Sequence, residues 1–207
     1  MPERFVEDIL RAEYFKLLPE IRRVTWQLET EIRYHTSSIR HKLRQYEQLL
    51  IRSRVKDCES AIKALQRRQE GRVFDPDRSY SLTSLPDLAG VRVLIFPGSK
   101  LKAADPLLRK SYSDWEADPV LDGAGGLLAH KYNGYCHGIS STIRAEYQIV
   151  PMLVGLFWEV EHSAMYKPDP ALMGIGKSPE MNQLKAEVER ALLRFEEGFE
   201  GYVADNE

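Results

Sequence analysis

The stretch Leu88 to Phe96 is apolar throughout except for Arg92, and Pro86 before it and Pro97-Gly98 after it close it at both ends. A run this short, bounded by turn residues, reads as a buried central strand. Such a strand needs a sheet around it and helices over that sheet. With 207 residues and 43% hydrophobic content, the chain has enough apolar surface for one full core.

The flanking pattern supplies the helices. Ile9, Leu10, Tyr14, Leu17 and Leu18, then Ile21, Val24, Leu28 and Ile32, recur at helical spacing between charges, giving an N-terminal helical arm over residues 1–50. Pro19 fits the first turn of a second helix, and Thr36-Ser37-Ser38 marks a break or a new cap. Ile51 to Lys56 reads as extended and leads into a short helix, Glu59 to Arg68, with Ser60 near a start that aims backbone N–H groups at an anion. A helix over Leu101 to Tyr112, broken or started at Pro106, precedes a loop from Asp114 to Asn133. Strands follow near Tyr135 to Ser140 and Ile143 to Val150, and then a helix from Pro151 to Lys167. After the Pro/Gly segment Pro168 to Ser178 comes an amphipathic closing helix, Pro179 to Phe199. The expected fold class is α+β, a mixed central β-sheet flanked by helices. A core over residues 51–170 and a C-terminal linker and helix over 171–207 pack as one domain.

Composition removes several classes. The formal charge of −2 argues against coating nucleic acid through charge alone. Cys58 and Cys136 have no zinc spacing and form no disulfide framework, which fits a reducing cytosol. No apolar run approaches the ~20 residues of a membrane span, so a cytoplasmic protein is expected.

The helix from Leu156 to Lys167 places Trp158, Glu161, His162 and Tyr166 on neighbouring turns of one face, polar groups beside an aromatic wall. A lone histidine there would read as a packed core residue. It has company upstream: Ser53 to Ser60, Asp87 to Arg92, Asn133-Gly134-Tyr135 and Glu146-Tyr147-Gln148. In this order, from about Leu50 to Lys167, the set resembles the synthetase domain of the RelA/SpoT family, pyrophosphokinases that make (p)ppGpp, with a nucleotidyltransferase-like fold. The ordered set is specific, although each member alone is not.

Pyrophosphoryl transfer needs charge neutralisation along a triphosphate, Mg²⁺ held by few protein carboxylates, and a base near the attacking hydroxyl. Asp87 opens the central strand and Glu146 lies on a later one, so adjacent pairing would bring both to one cleft. The resemblance implies that Asp87 ligates Mg²⁺, and that Glu146 helps hold it and accepts the hydroxyl proton. It implies that Arg54 and Arg92 sandwich the adenine of ATP, a use of planar guanidinium that lysine does not match. Lys56 meets the phosphates with Ser60 beside it. On the acceptor side it implies stacking by Tyr135, projected by the Asn133-Gly134 turn, with Lys131 and Gln148 nearby. Trp158, Glu161, His162 and Tyr166 give structural support.

The chain also departs from that pattern. The family places a basic residue just after the tyrosine and a histidine four places beyond it; here Cys136 and His137 follow, and Ile139 holds the later place. Lys63 stands three residues after Ser60 where four is usual, and Ala64 holds that position. None of His35, His41, His130, His137 and His162 precedes an Asp, so the family's hydrolase site is not expected. The resemblance implies transfer of the β,γ-pyrophosphate of ATP to the 3′-hydroxyl of GDP or GTP. It leaves open a toxin that makes adenosine alarmones or modifies the CCA end of tRNA, with an antitoxin partner. It also leaves open a silent nucleotide sensor and a homo-oligomer.

Overall fold

The computed structural model describes residues 2–69, 74–75, 78–121, 125–163 and 178–206. Its centre is a sheet in the order β1-β2-β6-β5-β3, with β4 also on β5. The strands are β1 (Gln48–Val55), β2 (Ala89–Phe96), β3 (Glu116–Ala117), β4 (Val120–Leu121), β5 (Leu127–Tyr135) and β6 (Arg144–Pro151). Only β2 and β6 run parallel among the paired strands described, and the other pairs are antiparallel. The apolar run at Leu88 to Phe96 is thus the central strand its composition predicts, flanked by β1 and β6 and buried along most of its length.

Helices cover both faces. Against one lie α1 (Pro2–His35), α3 (Cys58–Arg67) and α4 (Leu101–Ser111), after the short α2 (Ser37–Arg40). The stripe Leu10, Tyr14, Ile21, Val24, Leu28 and Ile32 of α1 is buried in the main core with Val91, Val93 and Tyr147. That burial answers the expectation of a second helix at Pro19: α1 runs through the proline unbroken. An interior proline costs a helix about 3 kcal/mol, and apolar residues on both sides of it, fixed against the sheet, outweigh that cost. The N-terminal pattern also ends earlier than Leu50, because β1 begins at Gln48. The break at Thr36 falls where its side-chain cluster suggested.

The opposite face is covered only in part. Leu94, Ala129 and Val150 meet α5 (Met152–Glu161), and Leu192 and Leu193 of α6 (Pro179–Asp205) pack against the same cluster. Gly155 allows the approach: a Cβ there would lie 2.3 Å from Leu94 Cδ2. Beyond α5 the sheet face is open and polar.

Two expectations fail between residues 114 and 140. The stretch Asp114 to Asn133 holds β3, β4 and most of β5, and the strand placed at Tyr135 to Ser140 ends at Tyr135. Asn133-Gly134 is therefore inside a strand, and the turn comes at Gly138, with φ +73°. The glycine is there for space, since a Cβ at Gly134 would lie 2.5 Å from the Trp115 ring. Trp115 in turn packs on Tyr147, which stacks on Tyr132 at 4.8 Å. No helix among the described residues is long and apolar enough to cross a membrane.

Candidate active site

Strand alternation builds the open face. Along β6, Ala145, Tyr147 and Ile149 enter the main core, so Arg144, Glu146 and Gln148 point the other way. Register then aligns them with their neighbours. One rung holds Arg54, Gly90, Glu146, Asn133 and Glu116, and the next holds Arg52, Arg92, Gln148 and Lys131. Arg54 lies along Gly90, where a Cβ would meet its Cγ at an ordinary contact distance of 3.5 Å.

A cleft of about 640 Å³ lies over the β1, β2 and β6 members of these rungs, with Trp158, Glu159, Glu161 and His162 of the α5 region and Lys185 and Glu189 of α6 forming its wall. The wall is tied together. Trp158 Nε1 donates to Glu189 Oε1 at 2.6 Å, Lys185 pairs with Glu161 at 3.1 Å, and Arg52 donates to Glu159 at 2.8 Å. Arg92 sits with its guanidinium carbon 5.8 Å from the Trp158 ring centre. Trp158 and Glu161 are thus tied to α6 across the cleft wall. His162 lines the cleft from an exposed position, because the helical turn that buries Glu161 swings the next residue outward. Tyr166 lies outside the described residues, as do Lys167 and the segment 168–177.

Glu146 lies on β6 and Asp87 just before β2, so the parallel pairing of those strands brings the two expected carboxylates near each other. Glu146 is buried, and burial first, then the charge of Asp87, hold its carboxyl above the ordinary range. Asp87 precedes β2 and is ion-paired with Lys56, while Arg54 approaches it at 3.8 Å. Lys56 is fixed by its own backbone, since its N–H donates to Leu88 O and its carbonyl accepts from Tyr14. Two neighbouring carboxylates, one of them raised by the other's charge, suit a divalent cation: Mg²⁺ takes one or two carboxylates and completes its shell with phosphate and water. Among the described residues no cluster of three or more metal-ligating side chains exists.

Gln148, for which the resemblance implies an acceptor role, lies between Arg92 and Glu146 in the cleft. Its carbonyl accepts from Arg92 Nε at 3.0 Å, and its amide donates to Glu146 Oε1 at 2.6 Å, so it joins the guanidinium to the carboxylate. Burial first, and Arg54 second, hold Arg92 below its usual range. Ser60 keeps only its hydroxyl for a ligand, because Asp57 caps α3 by accepting the Ser60 N–H at 2.9 Å. Tyr135 ends β5 with its ring 40% exposed, and Lys131 is ion-paired with Asp118. Arg144, Glu159, Lys185 and Glu189 are not among the site residues the sequence singles out. Period-two spacing from Glu146 reaches Arg144, but the α6 residues are brought in by long-range packing alone.

No protein-family model matches the chain, and no curated protein matches it by sequence. Solved structures do match by shape. The small alarmone synthetase 1 from Bacillus subtilis superposes with a TM-score of 0.65 at 15% identity, over 94% of this chain and 97% of that one. The chain has the fold of that synthetase. Structures of the same protein with AMPCPP and with its product pppGpp match at 0.65 and 16% identity, covering 94% of this chain and 97% and 98% of theirs. A GTP pyrophosphokinase family protein from Streptococcus pneumoniae matches at 0.63 and 22%, over 94% of each chain.

Proposed function

We propose that the chain is a pyrophosphokinase that moves the β,γ-pyrophosphate of ATP to the 3′-hydroxyl of GDP or GTP. The observation that carries this reading is the joining of Glu146 to Arg92 through Gln148 within one cleft, with Asp87 beside the same carboxylate. A base and a planar cation held on adjacent strands fit an acceptor hydroxyl at one end and a nucleotide base at the other. The fold shared with a synthetase whose structures hold AMPCPP and pppGpp supports the choice of nucleotides.

In this reading Arg92 and Arg54 hold adenine between guanidinium planes, with Trp158 behind Arg92. Lys56 turns from Asp87 toward the triphosphate. Tyr135 stacks on the acceptor base and sets its ribose near Glu146. The 3′-oxygen bonds to the β-phosphorus, the bond from that phosphorus to the bridging oxygen of the α-phosphate breaks, and AMP leaves with the electron pair. Glu146 takes the hydroxyl proton, a role its raised affinity for protons favours. Asp87 and Glu146 are the residues that would hold Mg²⁺, which supplies charge neutralisation along the phosphates when bound.

The test is transfer by Asp87→Asn and Glu146→Gln. Each is expected to lose product by at least a hundredfold with its thermal melt retained, Glu146→Gln mainly through kcat. Turnover near that of the unmodified protein in either variant would remove that residue from the reaction.

A further inference from the structure

The hairpin after Tyr135 offers the acceptor no cation: Cys136 is buried, and His137 Nε2 lies 2.8 Å from Asp114 Oδ2. A cation comes instead from the neighbouring strand. Arg144 is the register partner of Tyr135 and lies on the same face as Glu146 and Lys131. Its Nε is buried and has no hydrogen-bond partner. One guanidinium NH2 donates to Glu116 Oε2 at 3.2 Å, and Glu116 is three-quarters exposed on the edge strand. Asn133, between Arg144 and Lys131 on this face, likewise has a buried and unpartnered Oδ1. A buried donor without a partner costs about 1–3 kcal/mol, so a ligand that fills it is favoured.

We propose that Arg144 is an acceptor-binding residue that takes the phosphates of a nucleoside diphosphate or triphosphate, together with Lys131. This deepens the proposed function and rests on its placing of the acceptor at Tyr135. Both cations are held by acids of the sheet edge, Arg144 by Glu116 and Lys131 by Asp118. Each acid keeps its cation in place until phosphate displaces it. Exposed carboxylates suit that exchange, since a solvated ion pair is worth little beside a phosphate hydrogen-bonded in two places. The recognised chemistry is thus a phosphorylated acceptor, with Tyr135 insensitive to the base and Arg144 sensitive to the phosphates.

The experiment measures binding of GDP and of guanosine, without ATP, to the unmodified protein, Arg144→Gln and Glu116→Gln. Arg144→Gln is expected to weaken GDP at least tenfold and to leave guanosine unchanged. Glu116→Gln, at an exposed position that leaves the core intact, is expected to tighten GDP by removing the competing carboxylate. Equal losses for GDP and guanosine in Arg144→Gln, or GDP binding that Glu116→Gln leaves unchanged or weakens, would overturn the assignment. GDP binding that follows the expected pattern with no product on adding ATP would defeat the proposed reaction and leave Arg144 standing. Product formation with GDP affinity untouched by Arg144→Gln would do the reverse, and a protein that binds no GDP would defeat both.

Discussion

Glu196→Gln is expected to abolish a pH dependence of stability that comes from one buried carboxyl. Glu196 of α6 is 3% exposed and receives the Leu153 N–H at 3.4 Å. Gly98 lies against it closely enough that a Cβ would sit 3.0 Å from Oε2. Burial raises this carboxyl from 4.5 to about 7, more than its bonds to the Leu153 and Gly98 amides lower it. Between these values the folded chain keeps a proton that the unfolded chain has released. Stability from this group is therefore complete below about pH 4.5 and is lost as pH rises through about 7. A shift of roughly 2.5 units at 1.36 kcal/mol each gives about 3 kcal/mol. Urea unfolding from pH 5 to 8 measures it. The unfolding free energy of Glu196→Gln minus that of the unmodified protein should grow by about 2–3 kcal/mol across that range. A difference that stays flat would refute the reasoning.

Gly134→Ala drives a methyl into the Trp115 ring and is expected to cost about 1–3 kcal/mol in chemical unfolding; a neutral change would mean that Trp115 moves freely. Arg92→Ala should raise the KM for ATP about tenfold, from loss of a stacked cation worth on the order of 1–2 kcal/mol, and an unchanged KM in initial-rate kinetics would move adenine elsewhere. Tyr135→Ala should raise the acceptor KM and leave ATP binding unchanged in a titration with a non-hydrolysable analogue; a loss of ATP binding would count against its place on the acceptor side.

The central strand was legible because an apolar run between prolines leaves few alternatives, whereas Arg54, Arg92 and Glu146 stand on three different strands and were singled out by the family resemblance alone. The acceptor side was harder. Asn133-Gly134 has the chemistry of a hairpin turn, yet β6 and β3 pair with β5 on both sides and Trp115 takes the space over the glycine, so tertiary packing overrides the local signal. Pro19 misled for a related reason, since the buried stripe of α1 keeps the helix whole. His162 stands one residue past the buried Glu161 and is exposed at the cleft edge, a difference that helical spacing on one face does not resolve. Lys185 and Glu189 meet Glu161 and Trp158 from a helix farther along the chain, and no spacing rule links those pairs.

The most direct measurement incubates the protein with Mg²⁺ and ATP labelled on its γ-phosphate, offering GDP, GTP, AMP and deacylated tRNA in turn, and separates the products. The account predicts label in guanosine tetraphosphate from GDP and in guanosine pentaphosphate from GTP, with AMP released in equal amount and both products absent with Asp87→Asn. Label confined to tRNA or to an adenosine product, or nucleotide binding with no transfer to any acceptor, would contradict it.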